Sequence, residues 1–296
     1  MPCRCPLRCA GRVLSAGYGS PSRTVRPEIR LWRRHAGTGR LPHLPVPKAD
    51  EIVVAGLESA LPATSRRMST RRSGSVTPSP ATAITSTSSG PHRRKPVIQN
   101  GMKGEVERCL SALEAALDGQ NVCMVCSGDP GILAMAGLLY ELRAREPRFG
   151  DIPIRVLPGI TAATIAAASL GAPLQNGFSL VSLSDLLVPA DEVRRNIRSV
   201  AQSLLPVALY NPAGRKRRAL LDETLAVFRE HRGRDVLCAY VKNAGREQET
   251  KWVGKLSEFP AAEVDMSTLI IIGGPRTRLD SGVLYEPRGY VEKYME

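Results

Sequence analysis

From residue 101 onward, apolar residues recur with two periods in turn, and each change of period marks an element. In EVERCLSALEAAL (105–117), Val106, Cys109, Leu110, Leu113 and Leu117 form a stripe at helical spacing with good helix formers between them. NVCMVCS (121–127) is a short apolar run and predicts a buried strand. GILAMAGLLYELRAR (131–145) predicts a helix, IPIRVLPG (152–159) a strand ending in Pro-Gly, and ITAATIAAASLG (160–171) a small-residue helix stopped by Gly171. FSLVSLS (178–184), PVALYNP (206–212), DVLCAYVKN (235–243) and STLIIIGG (267–274) predict strands, and RRALLDETLAVFREHR (217–232) predicts an amphipathic helix. Strands separated by helices at this spacing predict an α/β architecture with largely parallel pairing. The small residues of 161–172 permit close packing against a sheet or a ligand.

Residues 1–100 lack this alternation, apart from ADEIVVAGL (49–57), which predicts a first strand followed by glycine. Before it, Arg, Pro and Gly dominate without periodicity. After it, ESALPATSRRMSTRRSGSVTPSPATAITSTSSGPHRRKP has almost no core-forming residues, and the expectation over 1–48 and 58–97 is disorder. A long structureless stretch directly after a first strand is itself anomalous in a compact domain.

Charge divides the same way. The net +13 of the 296-residue chain sits in residues 1–100, with 17 Lys and Arg against 4 acids, while residues 101–296 hold 24 of each sign. Basicity therefore says nothing about the partner of the larger region, and the basic segment lacks the interleaved aromatics of a nucleic-acid arm. An Arg- and Ser-rich, acid-poor beginning also has the composition of an organellar transit peptide, although its many prolines count against that. No apolar run approaches the ~18 residues of a membrane span. The seven cysteines form no paired framework, which suits a reducing cytoplasm. Cys123 and Cys126 have redox or metal spacing but fall within a predicted buried strand, where core packing accounts for them; no metal site is expected.

The chemistry concentrates in the turns. Ser127-Gly128-Asp129-Pro130-Gly131 joins a strand to a helix, and a glycine-rich turn there brings backbone N–H groups up to a ligand, although a plain turn uses the same residues. The ordered set GMKGEVERC (101–109), SGDPGILAMAG (127–137), VLPGITAATIAAASLGAPL (156–174), SLSDLL (182–187), ALYNPAGRKR (208–217), VKNAGREQE (241–249), VDMSTLIIIG (264–273) and EPRGY (286–290) resembles the tetrapyrrole methylase superfamily of class III methyltransferases. Within it, SLSDLL, LYNP followed by a basic run, NAGRE and PRGY are similar to the precorrin-3B C17-methyltransferases, whose anaerobic counterparts act on cobalt-factor III. The resemblance implies two αβα domains, about 49–176 and 177–296, with a cofactor cleft between them. It implies S-adenosyl-L-methionine as methyl donor, methylation of C17 with ring contraction in cobalamin synthesis, a tetrapyrrole as partner and a homodimer, with no nucleic acid or membrane. A methylase acting at another ring carbon, and an impaired or non-catalytic remnant, are the other readings.

On that resemblance, Gly128, Asp129, Pro130, Ile132, Thr161, Ala162, Leu209, Tyr210, Asn211 and Asn243 line the cofactor site. Asp129 accepts a hydrogen bond from the cofactor or caps the following helix. The acetate and propionate groups of the substrate call for cations, with Arg215, Lys216, Lys242 and Arg246 as candidates; the basic run 215–218 is otherwise a solvated helix face. Asp185 is either an acid assisting ring contraction or the cap of a following turn, and Arg246 is its catalytic companion. No Ser-His-Asp arrangement is needed, because the sulfonium is already a reactive electrophile and alignment supplies much of the acceleration. His231, at a predicted helix end, fits capping better than catalysis.

The chain departs from the family pattern at several places. Leu133 and Ala134 stand where Tyr-Gly is usual, and Gly274-Pro275 where Asn-Ser is usual. Glu58-Ser59-Ala60 stands where a Gly-Pro-Gly loop belongs. The 43 residues from Glu58 to Asn100 have the family's length without its residues, and their Arg, Pro, Ser, Thr and Ala content is that of GC-rich coding DNA read out of frame.

Overall fold

The computed structural model describes residues 51–57, 83–87, 97–99, 104–214 and 218–295, all within the compact unit Val46–Glu296. The disorder expected of 1–48 lies outside the described residues, as does most of 58–97. Within the latter, however, five residues form a paired strand.

Two five-stranded sheets make the framework. The N-terminal sheet contains β1 (Ile52–Leu57), β2 (Ala83–Thr87), β3 (Val97–Gln99), β4 (Asn121–Ser127) and β5 (Ile154–Leu157), in the order β3-β2-β4-β1-β5. β4, β1 and β5 run parallel, whereas β2 is antiparallel to both β4 and β3. β1, between β4 and β5, carries the run Ile52, Val53, Val54, Ala55, at most 1% exposed, as a strand covered on both faces must. Helices α1 (Glu105–Leu117) and α2 (Met135–Arg145) pack Cys109, Leu113 and Leu139 against Ile52, Val54, Val122 and Met124. The bounds of α1 and β4 are those the periodicity predicts. Cys123 and Cys126 are buried thiols in this sheet and, like the other described cysteines, form no disulfide, in keeping with a core role.

The C-terminal sheet contains β7 (Ser179–Ser182), β8 (Val207–Tyr210), β9 (Leu237–Lys242), β10 (Thr250–Lys255) and β11 (Thr268–Ile272), in the order β10-β9-β11-β8-β7. Here the expectation of largely parallel pairing is wrong, because only β7 and β8 are parallel. Parallel neighbours need a long crossover. β9 and β10 are instead joined by the short turn 243–249, and β10 reaches β11 through two 3-10 turns. β11 then inserts antiparallel between β8 and β9.

Alternation along these strands explains the layers. Leu209, Tyr240, Ile270 and Ile272 face α4 (Ala190–Gln202) and α5 (Ala219–Arg232), meeting Val193, Ile197, Leu221, Leu225 and Phe228. Ala208, Ala239, Val241, Leu269 and Ile271 face the other way, onto Ala163, Ala166, Ala167 and Leu170 of α3 (Ala162–Leu170). Alanines on both sides let helix and sheet approach closely. Although α3 follows the last strand of the N-terminal sheet, it therefore packs on the C-terminal one, and the chain passes between sheets at 158–161 rather than near 176. Sequence order could not show which sheet a small-residue helix would cover.

The strand signals did not anticipate a small third sheet, in which β6 (Gly171–Ala172) runs parallel to β13 (Val283–Tyr285) and β12 (Arg278–Asp280) closes the edge. Gly171 is required there: at φ 132° a Cβ would lie 2.5 Å from the Leu284 carbonyl oxygen. A short helix, α6 (Tyr290–Tyr294), ends the described chain. Helix α4 also escaped the sequence reading, because its apolar stripe is only Val193, Ile197 and Ala201.

Candidate active site

The three parallel strands of the N-terminal sheet end at one edge, and each end carries a glycine. A Cβ on Gly56 would lie 2.4 Å from the Gly128 carbonyl oxygen and 2.6 Å from Gly159 Cα; one on Gly159 would lie 2.3 Å from the same oxygen. Three backbones meet where no side chain fits. Gly128 has φ 75°, a left-handed turn that costs glycine little. The Asp129 carboxylate then ties two of the loops, accepting the Gly131 N–H at 2.8 Å and the Gly159 N–H at 3.0 Å. It does not cap α2, whose N-cap is Ala134 with no side-chain hydrogen bond. Pro130 is buried and its carbonyl accepts the Ala136 N–H. Ile132, Leu133 and Ile160 are exposed apolar side chains at this edge, and Leu133 adopts φ 52°, a left-handed conformation that a bulky residue holds only under strain of roughly 1–3 kcal/mol.

A second wall comes from β7, β8 and β9, which end at a common edge of the other sheet. Two asparagines turn the chain out of these strands in the left-handed region, Asn211 at φ 52° and Asn243 at φ 54°. Asn211 Nδ2 donates to Ser182 Oγ at 3.0 Å. Asn243 donates its N–H to the Ser267 carbonyl and its side-chain amide to that of Gln248. The Leu209 side chain is wholly buried in the α4–α5 layer, so only its backbone can take part. Tyr210 reaches out instead. Its hydroxyl lies 2.6 Å from Thr161 Oγ1 and accepts the Ala163 N–H at 2.7 Å, bringing together the two strand-end regions at the first turn of α3, where Ala162 is half-buried. Burial pushes the Tyr210 phenol up, against the opposing pull of those two partners, so it stays protonated.

The cationic candidates separate. Lys242 Nζ is 2.6 Å from Asp265 Oδ2, so its charge is already matched. Burial works against ionisation of Asp265, but the Lys242 ammonium and the Ser267 and Thr268 donors outweigh it and hold the carboxyl down at about 2. Arg218, at the end of the basic run, donates to the carbonyls of Ala261, Ala262 and Val264 and is structural. Arg215 and Lys216 lie outside the described residues. Arg246 is exposed on the β9–β10 turn, fixed through its N–H to the Asn243 carbonyl at 2.9 Å. Asp185 borders a recess of about 120 Å³ with Asn211, Pro212, Met266 and Arg194. It does not cap α4, whose N-cap is Pro189. His231 sits exposed in the last turn of α5.

Four residues of this region were not named as site residues from the sequence. Gly56 follows an apolar run directly and Gly159 after a proline. Ser182 and Glu249 lie at the ends of the SLSDLL and VKNAGREQE motifs, but nothing local marked the contacts they make. Glu249 accepts the Gly245 N–H at 2.6 Å and the Ser169 hydroxyl, joining the β9–β10 turn to the far end of α3.

Parallel strands ending on close-packed glycines, joined through a small-residue helix to a second helix-flanked sheet, define an α/β protein of the class that commonly binds ligands beyond its strand ends. The family model of Tetrapyrrole (Corrin/Porphyrin) Methylases matches residues 47–260, and the chain belongs to that family of methyltransferases. It is 38% identical over 196 residues to a probable cobalt-factor III C(17)-methyltransferase from Salmonella typhimurium, covering 66% of this chain and 80% of that protein. It is 36% identical over 199 residues to a precorrin-3B C(17)-methyltransferase from Sinorhizobium sp, covering 65% and 78% respectively. The crystal structure of the methyltransferase CobJ superposes with a TM-score of 0.65 at 27% identity, over 80% of this chain and 99% of that one.

Proposed function

We propose that this chain transfers a methyl group from S-adenosyl-L-methionine to C17 of precorrin-3B or cobalt-factor III, with ring contraction, in cobalamin synthesis. The observation that carries the reading is the sequence likeness to relatives named for that reaction, over about two thirds of this chain; the motifs SLSDLL, LYNP and NAGRE of this chain agree with it. The strand-end region fits such a methyl donor. Its glycines keep side chains away from the wall, Ile132, Leu133 and Ile160 offer exposed apolar surface, and Asn211 and Asn243 turn the chain out of β8 and β9 in the left-handed region.

Bound there, the sulfonium compound supplies an electrophilic methyl carbon; the carbon nucleophile of the macrocycle forms the new C–C bond as the S–CH3 bond breaks, releasing S-adenosylhomocysteine. What the protein contributes is alignment and exclusion of water, which can account for ~7–11 kcal/mol of the barrier. Gly128, Asp129, Pro130, Thr161, Ala162, Leu209, Tyr210, Asn211 and Asn243 hold the donor in this reading, the leucine through its backbone alone. Arg246 meets a substrate carboxylate, and Asp185 assists ring contraction from the recess beside Asn211. Lys242, matched by Asp265, orders that edge rather than binding substrate. The same reading takes the protein as a cytoplasmic homodimer; among the described residues no helix is long and apolar enough to cross a membrane.

Titration calorimetry with S-adenosylhomocysteine, followed by turnover of the two tetrapyrroles with mass detection of one added methyl group, tests the proposal. Binding and methyl transfer are the expected results. A second reading, an impaired remnant, is favoured by Glu58-Ser59-Ala60 standing where the family has Gly-Pro-Gly. Absence of S-adenosylhomocysteine binding would decide for it.

A further inference from the structure

The segment 158–161 crosses from one sheet to the other and is pinned at both ends. On the N-terminal side, Asp129 accepts the Gly159 N–H at 3.0 Å. On the C-terminal side, the Tyr210 hydroxyl holds both Thr161 Oγ1 and the Ala163 N–H. Thr161 is the N-cap of α3, a position where a threonine ordinarily satisfies one of the helix's first N–H groups with its own oxygen. Here the threonine makes no such cap. A phenol from the neighbouring strand takes that N–H instead, and Thr161 turns its hydroxyl to the same phenol.

The rest of α3 is held independently. Its buried alanines lie on the C-terminal sheet, the Ser169 hydroxyl donates to Glu249, and the Ser169 carbonyl accepts Lys251 Nζ at 2.6 Å. Removing the Tyr210 oxygen therefore frees the first turn and the segment before it while the helix stays in place. That segment carries Ile160 and Thr161, and it abuts Gly128, whose added Cβ would lie 3.6 Å from the Ile160 carbonyl oxygen.

We propose that Tyr210 is a positioning residue for the methyl donor: its hydroxyl, beyond any backbone contact at the end of β8, sets the Thr161 end of the donor wall. The inference rests on the donor reading given above. Without the hydroxyl, the 158–161 segment samples orientations that do not bind the donor, and apparent affinity falls by the fraction of time so spent.

Tyr210→Phe keeps the ring and removes only the oxygen. Its dissociation constant for S-adenosylhomocysteine is expected to rise about tenfold, the scale of one lost hydrogen bond. The KM for S-adenosylmethionine rises with it, while the KM for the tetrapyrrole stays within twofold. Amide exchange should quicken at Ala163 and remain unchanged at Leu170. A folded Tyr210→Phe protein whose S-adenosylhomocysteine affinity lies within twofold of the parent overturns the proposal and leaves the donor reading intact. Failure of the parent itself to bind overturns both. Should Tyr210→Phe not fold, Thr161→Val, which removes the other oxygen, carries the test: it is expected to lose methyl-donor affinity selectively, and unchanged affinity there likewise overturns the proposal.

Discussion

The two sheets of this methylase solve the same problem differently. In the N-terminal sheet, β4, β1 and β5 are parallel, so three strands end together and crowd Gly56, Gly128 and Gly159 into backbone contact. In the C-terminal sheet, antiparallel β11 separates β8 from β9, and their ends turn away through two left-handed asparagines that have room for side chains. Parallel order gathers backbone at one point and excludes side chains from it; antiparallel order spaces the ends and lets side chains such as Tyr210 reach across. A wall made of backbone is intolerant of substitution, whereas a wall made with side chains is adjustable.

That contrast can be broken most sharply at Gly159. Gly159→Ala drives a Cβ against the Gly128 carbonyl oxygen, where neither neighbour is a flexible side chain. Urea unfolding should show a loss of about 3 kcal/mol, the upper end for overpacking. Gly137, inside α2 with nothing within 4 Å of an added Cβ, is the control: Gly137→Ala should add up to about 1 kcal/mol. An equal response at the two glycines would mean the strand ends are not in backbone contact.

A smaller effect sharpens the comparison at the loops. Asp129→Ala leaves the Gly131 and Gly159 N–H groups without their charged acceptor and should cost about 2 kcal/mol. Its counterpart on the other sheet, Ser182→Ala, removes one neutral acceptor from Asn211 and should cost less than about 1 kcal/mol in the same unfolding assay. Reversal of that order would place the tighter loop ends on the C-terminal sheet.

The smallest effect concerns pH. Asp265 is held down at about 2, below the ordinary carboxylate range, so its pairing with Lys242 stabilises the protein above pH ~4 and is lost as pH falls towards 2. Because both side chains are about one-third exposed or more, the contribution should be under about 1 kcal/mol. Asp265→Asn should therefore narrow the stability difference between pH 5 and pH 2. An unchanged pH profile would show that the pair contributes nothing.

Much of the site was legible before the fold. The glycine-rich turn after β4, the Pro-Gly before α3 and the turns after β8 and β9 were marked by residue types whose backbone needs are local: glycine and asparagine for positive φ, proline for a fixed one. The partners of those residues were not legible. Asp129 read as a helix cap or a ligand for the cofactor, and it binds a glycine thirty residues away. Lys242 read as a cation for a substrate carboxylate, and Asp265 lies against it. Both depend on which strands lie side by side.

The amino-acid sequence by itself determined where α1, β4 and most strands of both main sheets form, though not α4, β10 or the third sheet, since the periods of 3.6 and 2 and the residues that interrupt them are properties of neighbouring positions. It also carried the family motifs. Only the tertiary structure decided that β11 enters antiparallel between β8 and β9, that α3 covers the second sheet rather than the first, and that Tyr210 meets Thr161. Strand direction, the sheet a helix covers and contact across forty-nine residues follow from how connections and buried faces are satisfied together, and no local window of sequence contains that balance.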